Sequence, residues 1–200
     1  VRNYSSSYFL QTNDIDLSDV SYMPSQSIAS GGVYDGGGNC IVGYEGSSAL
    51  FSSNSGTIQN LGMKDGSISF IQNTSGQHLS YTVGGMVGRN NGTIHSCYAE
   101  NMDLSVSVSM KATHSFATVR LCAGGIAGVN SGTISCSYIS GTVSGSASCQ
   151  KYNIAGAEAS ATAYVGGIAG ENNSGASMIN CYSTASVTGN KYKGTLCGYS

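Results

Sequence analysis

Four aspartates near the start of the chain come closest to a chemical site by residue type and spacing. Asp14 and Asp16 are two residues apart, so in a strand their side chains project from the same face, with Asp19 and Asp35 as neighbours. Paired carboxylates can act on a glycosidic bond, and Asp14, Asp16 and Asp35 are candidate ligands for Ca²⁺, which takes oxygen ligands. The alternative, which we favour, is that they cap turns by accepting backbone N–H bonds. We therefore expect no metal or other cofactor.

Other catalytic signatures are absent from the sequence. His78, His95 and His114 are isolated from one another, whereas a zincin site needs two histidines one helical turn apart with a glutamate between them. The chain also lacks a nucleophile elbow, a phosphate-binding loop and a dinucleotide fingerprint. The sequence therefore predicts a protein that is not an enzyme.

The seven cysteines do not form a metal-binding pattern. They contain no C-x-x-C pair, and they stand at positions 40, 97, 122, 136, 149, 181 and 197. Cys97 and Cys181 fall at the same position of a repeat described below, which favours small buried side chains stacked on one another. Disulfides among Cys122, Cys136, Cys149 and Cys197 remain open if the protein is secreted.

Composition narrows the class of protein and its partners. Only 9% of the residues are charged, the formal net charge is −2, and the eight Lys and Arg are scattered singly. Without a basic face we expect no nucleic-acid partner, and without an apolar run of about 18 residues we expect no membrane insertion by this segment. The start of the chain does not resemble a signal peptide, so we interpret the sequence as part of a longer protein.

One pattern recurs along the chain. Equivalent threonines at 57, 93 and 133 are 36 and 40 residues apart, and equivalent glycines at 85, 125 and 167 are 40 and 42 apart. The four copies occupy residues 49–62, 84–98, 124–138 and 166–182, the first of them eroded. A fixed unit with spacers of changing length indicates stacked repeats, with the added residues in excursions.

The repeat unit predicts short strands with a corner. Gly, Ser, Thr and Val, which are weak helix formers, are frequent along the whole sequence. Apolar residues do not recur with the period of an amphipathic helix over any long stretch. Ile94 and Cys97 are three residues apart, so a flat strand would place them on opposite faces, and a bend must fall between them. Ser96, Asn60 and Asn180 occupy this corner position. The spacers between the repeats also alternate apolar and polar residues, which predicts extended strands. These strands could pair as hairpins, or they could form the sides of larger turns of the stack.

Tyrosine is the candidate binding residue. The chain has thirteen Tyr and no Trp, and Tyr98, Tyr138 and Tyr182 recur at one repeat position. A ladder of these rings can contact sugars or a protein partner, or it can serve packing alone, which is the interpretation we favour.

The repeats, with the segment before them, resemble a known family. The unit Gly-Gly-Ile-Ala-Gly-x-Asn-x-Gly-x-Ile-x-x-Cys-Tyr is similar to the GLUG repeat of bacterial surface adhesins and of non-catalytic regions of immunoglobulin-A-cleaving metalloproteases. Residues 8–18, Pro24 and residues 32–43 resemble the entry to such repeats, so the resemblance covers about residues 8–188. It implies a right-handed parallel β-helix, a secreted or wall-attached parent protein, and a spacer or binding role.

The third copy departs most from the pattern. Cys136 stands where Asn is usual and Ser137 stands where Cys is usual. We therefore predict a distorted corner in this copy.

These observations lead to one prediction of fold and function. We expect an all-β protein, a right-handed parallel β-helix (β-solenoid) with strand-rich excursions between rungs. It is expected to form one domain over residues 1–200, with an entry segment (1–48), four GLUG-like repeats (49–188) and a terminal segment (189–200). The predicted function is that of a non-catalytic extracellular or cell-surface module, an adhesin or a stalk. Its expected partners are a host or cell-surface protein or glycan, or copies of itself. The alternatives are an accessory domain of a secreted protease or glycan-active enzyme, and a self-assembling subunit of a surface filament.

Overall fold

The chain is built of β-strands throughout the residues that the computed structural model describes, which are 6–20, 25–153 and 155–200. Pro24 of the entry segment lies outside them. No helix in these ranges is long and apolar enough to span a membrane. The strands are β1 (Tyr8–Leu10), β2 (Ile15–Asp16), β3 (Gln26–Ile28), β4 (Val33–Asp35), β5 (Cys40–Val42), β6 (Glu45–Gly46), β7 (Phe51–Asn54), β8 (Thr57–Gln59), β9 (Gly62–Lys64), β10 (Ser67–Gly76), β11 (His78–Gly84), β12 (Val87–Asn90), β13 (Thr93–His95), β14 (Tyr98–Ala112), β15 (Phe116–Gly124), β16 (Ala127–Asn130), β17 (Thr133–Ser135), β18 (Tyr138–Gln150), β19 (Glu158–Gly166), β20 (Ala169–Asn172), β21 (Ser177–Ile179), β22 (Tyr182–Ser183), β23 (Ser186–Gly189), β24 (Tyr192–Gly194) and β25 (Cys197–Tyr199).

The described strands form four sheets in which neighbouring strands are parallel. Sheet I has the order β1-β4-β8-β13-β17-β21, sheet III has the order β11-β15-β19-β24, and sheet IV has the order β3-β7-β12-β16-β20-β25. Sheet II contains β2, β5, β6, β9, β10, β14, β18, β22 and β23. The prediction of an all-β fold is confirmed.

The chain visits the sheets in a repeating order. From β12 in sheet IV it passes to β13 in sheet I, β14 in sheet II and β15 in sheet III, and β16 then pairs with β12. We call each such circuit a rung. This order of parallel strands is consistent with a β-helix.

The rungs lengthen along the chain. Residues paired one after another in sheet I are 8, 33, 57, 93, 133 and 177, so the circuits comprise 25, 24, 36, 40 and 44 residues. The added residues form the long parallel strands β10, β14 and β18 of sheet II and β11, β15 and β19 of sheet III. The spacers are therefore sides of larger rungs, and we call this two-layered part the lateral extension.

Apolar side chains at equivalent positions form the core. Ile58, Ile94 and Ile134 are paired in register and have no exposed surface. Burial of one such side chain contributes roughly 1.5–3 kcal/mol. In the lateral extension Val106 and Leu121 are buried in the same hydrophobic cluster. One continuous core therefore joins the stack and its extension.

The paired glycines allow successive backbones to touch. A Cβ atom on Gly85 would lie 2.1 Å from the carbonyl oxygen of Gly125, and one on Gly125 would lie 2.4 Å from that of Gly167. No side chain fits at these separations, so the glycine pairs have a structural role.

The corners are alike in all four copies. The φ angles are 50° at Asn60, 52° at Ser96, 51° at Cys136 and 52° at Asn180, so the predicted bend before the tyrosine position is confirmed. The predicted distortion at Cys136 is wrong. Its side chain is exposed and does not disturb the core, while the Ser137 hydroxyl donates to the Ser135 carbonyl at 2.8 Å and accepts from the Cys97 N–H at 3.2 Å. These bonds preserve the corner.

Candidate functional site

The three repeat tyrosines form a ladder at the start of β14, β18 and β22. Tyr98 pairs with Tyr138, and Tyr138 with Tyr182, in the register of sheet II. The ring centroids are 5.1 Å apart in the first pair and 4.9 Å in the second, and the ring planes in each pair are within 4° of parallel. The parallel register places the rings at one strand spacing, which is a favourable stacking distance.

Stacking leaves one open ring face in the ladder. Tyr138 has a ring on each side, and Tyr98 lies over Gly62, because a Cβ there would be 2.5 Å from Tyr98 Cζ. Tyr182 ends the ladder and is 55% exposed. Within the ladder a sugar ring could therefore stack only on Tyr182, while Tyr98 and Tyr138 offer their ring edges.

Polar groups surround the closed end of the ladder. Lys64 Nζ lies 5.7 Å from the centre of the Tyr98 ring and 3.4 Å from Glu100 Oε2, and the Tyr138 hydroxyl lies 3.5 Å from Glu100 Oε1. Burial, together with the hydrogen bond to the Cys40 thiol, raises the pKa of Tyr98 to about 12. Burial likewise raises the pKa of Tyr138. Both phenols are thus neutral at physiological pH.

Asp14 and Asp16 hold backbone turns in the structure. Asp14 Oδ1 accepts the N–H of Cys40 at 2.7 Å. Asp16 Oδ1 accepts the N–H of Ser18 at 2.9 Å and also the Ser18 hydroxyl, and these bonds lower the pKa of Asp16. Both contacts match the capping interpretation.

Asp35 is buried, and four donors contact its oxygens. They are Gln59 Nε2 at 2.7 Å, Gly37 N at 2.9 Å, the Tyr8 hydroxyl at 3.0 Å and Asn60 Nδ2 at 3.1 Å. The bonds from Gln59 and Gly37 chiefly lower the pKa of Asp35 to about 2. Within the described ranges, no three His, Cys, Asp or Glu residues are grouped so as to hold a metal ion. Asp35 therefore joins neighbouring rungs through hydrogen bonds.

The cysteines are present as free thiols. Cys97 is 1% exposed, as predicted for a stacked position, whereas Cys181 in the last rung is half-buried. Burial raises the pKa of Cys97 and of Cys122 to about 12, which makes both thiols unreactive. Cys136 is exposed. The four candidates for disulfide bonds, Cys122, Cys136, Cys149 and Cys197, are therefore unpaired in this structure.

An internal asparagine ladder is the main feature that the sequence reasoning missed. The Nδ2 of Asn54 donates to Asn90 Oδ1, that of Asn90 to Asn130 Oδ1, and that of Asn130 to Asn172 Oδ1, each at 2.8 Å. The first three side chains are fully buried. Three of these asparagines stand two residues before the glycine of their repeat, and Asn172 stands three residues before it, so the repeat alignment carried a signal for the ladder.

A second missed cluster lies between sheets III and IV. Arg120 forms an ion pair with the nearly buried Glu171, and its guanidinium lies 5.2 Å from the centre of the Tyr164 ring. Tyr164 in turn stacks on Tyr192 at 5.2 Å. These contacts join two sheets across successive rungs, and their residue types vary from rung to rung.

Parallel rungs, side-chain ladders and glycine contacts define a repeat protein of stacked strands. Residues 161–188 match the model of the GLUG motif, which confirms the resemblance to GLUG repeats in the segment that contains Gly166, Asn180 and Tyr182.

A crystal structure from Bacteroides ovatus, described as that of a candidate immunoglobulin A1 protease, has 18% sequence identity and a TM-score of 0.44, covering 94% of this chain and 77% of that one. No curated protein matches the sequence.

Proposed function

We propose that this chain is a non-catalytic extracellular module of the adhesin or stalk type, built as a right-handed β-solenoid. The observation that carries the proposal is the repetition of one side-chain type at one place in successive rungs, seen most clearly in the Asn54–Asn90–Asn130–Asn172 ladder. Stacked repeats of this kind act as rods whose length follows the number of rungs and whose sides present an extended surface. A right-handed path accords with the strong preference of parallel crossovers for that hand.

The environment of the acidic residues supports a non-catalytic role. Asp14 and Asp16 accept backbone N–H bonds. The hydrogen bonds that Asp35 accepts keep its carboxylate ionised and engage both of its oxygens. A general acid needs a raised pKa and access to substrate. Asp35 has the opposite environment, since it is buried and its pKa is lowered.

An extracellular or cell-surface location fits the chemistry of the thiols. Buried thiols with raised pKa values, such as Cys97 and Cys122, resist oxidation because the thiolate is the reactive form. These two thiols would therefore persist unmodified in an oxidising compartment. Protease treatment of intact cells of the source organism tests this part of the proposal: release of peptides from this chain supports it, and recovery from the cytosol alone contradicts it.

Accessory support of a secreted protease or glycan-active enzyme is the second candidate. The GLUG match over residues 161–188 favours it, because the repeat resembles non-catalytic regions of immunoglobulin-A-cleaving metalloproteases. In that case the module would position an enzyme domain supplied elsewhere in the protein. Loss of enzyme activity on removal of the module, with an intact catalytic domain, would distinguish this role from that of an adhesin.

Deletion of one rung tests the stalk architecture. Removing residues 93–132 joins Gly92 to Thr133, and Thr133 occupies the register position of Thr93. We expect a folded variant with cooperative unfolding and an unchanged circular-dichroism spectrum per residue. A variant that remains unfolded would contradict independent stacking of the rungs.

A turnover assay tests the non-catalytic part of the proposal. The purified chain is incubated with panels of glycans and peptides, and we expect no product. Turnover that disappears in Asp14→Ala or Asp16→Ala would contradict it.

Binding of the same protein to glycan arrays and to immobilised extracellular proteins measures the adhesin role. Tyr182→Ala is compared with Tyr138→Ala, because Tyr182 is the member of the tyrosine ladder with an open ring face.

A further inference from the structure

The lateral extension has an open edge on the side of the short first rungs. β10 pairs with β14 along Ser67–Gly76, but on its other side β6 pairs only with Ser67 and Ile68. In the second layer, β11 is the first strand of sheet III. Among the residues that the structure describes, Ser69–Gly76 and His78–Gly84 therefore form two adjacent edges without a neighbouring strand.

The orientation of the backbone identifies the groups on this edge. The Ser67 N–H donates to the Tyr44 carbonyl, towards β6, whereas the Gly76 carbonyl accepts from Thr113, towards β14. Backbone groups of successive residues in a strand point to opposite sides, so Ile71 and Asn73, like Ser67, direct their N–H and C=O groups away from β14. Ser69 and Ser75 share this orientation.

This edge lacks the devices that usually prevent strand pairing. Ser67–Gly76 contains no charged residue and no proline, and Ile71 is 68% exposed. Long uncharged edges of this kind are templates for another strand. The opposite side of the extension is different, because the Asn190 amide donates to the Ala147 carbonyl at 2.8 Å and accepts its N–H at 3.3 Å. Lys191 Nζ similarly donates to the Ala161 carbonyl at 3.2 Å.

We propose that this edge pairs with the same edge of a second copy of the chain. A two-fold axis normal to the sheets makes the two β10 strands antiparallel neighbours and sets sheet II beside sheet II and sheet III beside sheet III. The pairing continues the ladder that β6 begins at Ser67 and Ile68. Because the paired β10 strands carry no charge, they do not repel each other. Such an interface is isologous, so the assembly closes as a dimer.

The interior of the extension also favours this partner. Phe70 and Tyr81 are half-buried, their ring centroids are 5.5 Å apart, and they connect the two layers next to the open edge. Leu79 is likewise half-buried and packs on the core. In the dimer the partner's edge covers these half-buried side chains. This inference is independent of the proposed function.

Sedimentation equilibrium of the full chain over a range of concentrations tests the proposal. We expect a monomer–dimer equilibrium whose upper limit is twice the 20.4 kDa mass of the chain. Ile71→Lys adds a charge to the edge, and Asn73→Pro removes an edge N–H that has no backbone partner among the described residues. Each substitution should weaken dimerisation at least tenfold. Ser107→Lys is the matched control, because Ser107 pairs with Ile71 in the same row but lies on the interior strand β14.

Circular dichroism checks that the variants fold, and hydrogen exchange locates the contact. The N–H groups of Ile71 and Asn73 should gain protection with rising concentration, whereas that of Gln72, which faces β14, should be protected throughout. A chain that is monomeric at all concentrations would overturn the proposal, as would open-ended assemblies or a dimer that persists in both edge variants. Equal weakening by Ser107→Lys would also overturn it.

Discussion

Replacing Asn130 by alanine removes an interior member of the asparagine ladder. Its Oδ1 accepts from Asn90 Nδ2, and its Nδ2 donates to Asn172 Oδ1, both at 2.8 Å. Nδ2 also approaches the Ser177 carbonyl at 3.2 Å. The substitution therefore deprives two neighbouring amides of a partner, that of the fully buried Asn90 on one side and that of the half-buried Asn172 on the other.

The expected loss of stability follows from the number of polar groups that lose a hydrogen-bond partner. A buried polar group left without its partner costs about 1–3 kcal/mol. Because two amides lose a partner in Asn130→Ala, we expect its free energy of unfolding to fall by about 2–6 kcal/mol. Asn54 is equally buried but begins the ladder, so Asn54→Ala takes a partner from one ladder amide, that of Asn90, and should cost about half as much. The bond from the glycine N–H two residues later is lost in both variants and does not affect the comparison.

Urea denaturation at one protein concentration measures both variants. The free energy of unfolding is extrapolated to water, and an unchanged dependence on urea shows that the same surface is exposed on unfolding. Equal losses for Asn130→Ala and Asn54→Ala would contradict this prediction, because they would show that the position in the ladder does not affect stability. A loss below about 0.5 kcal/mol in both would show that water or rearranged neighbours replace the missing amide.

Three further predictions concern glycine contacts, corners and a buried carboxylate. Gly125→Ala should lower the free energy of unfolding by about 1–3 kcal/mol or more, because its Cβ would meet the Gly167 carbonyl, while Gly76→Ala, with neighbours at 3.5 Å or beyond, should be nearly neutral; urea denaturation compares them. Cys136→Asn should stabilise by about 0.5–1 kcal/mol, because Asn tolerates a positive φ better, and a lower melting temperature would contradict this. The lowered pKa of Asp35 means that the folded state binds fewer protons than the unfolded state between about pH 4 and pH 2, so stability should fall as pH falls through that window. Asp35→Asn should flatten this dependence, and an unchanged slope in urea midpoints would contradict it.

Much of the architecture could be predicted from the repeat. The period of Thr57, Thr93 and Thr133 shows which residues are equivalent in successive repeats. The three-residue step from Ile94 to Cys97 requires a corner between them. These features depend on local sequence and on the alternation of side chains in strands. The tyrosine ladder followed from the same period, since parallel stacking in register brings equivalent residues together.

Other features depend on contacts that the period alone does not reveal. The asparagines were visible at equivalent positions, but only the fold shows that they point inward and bind one another. Alternation in the spacers suits a hairpin and a longer rung equally well, so the lateral extension and its open edge appeared only with the strand pairing. The corner at Cys136 kept its geometry because Ser137 supplies hydrogen bonds in place of the expected pattern.

Nuclear magnetic resonance contacts between rungs test the parallel stack most directly. A parallel stack should give nuclear Overhauser effects that link the side-chain amides of Asn54, Asn90 and Asn130 in sequence, and effects between the backbones of His95 and Ser135, which are 40 residues apart and paired in sheet I. Antiparallel contacts between β14 and β15, with no contacts between the asparagine amides, would show hairpins in place of rungs and would rule out the parallel stack.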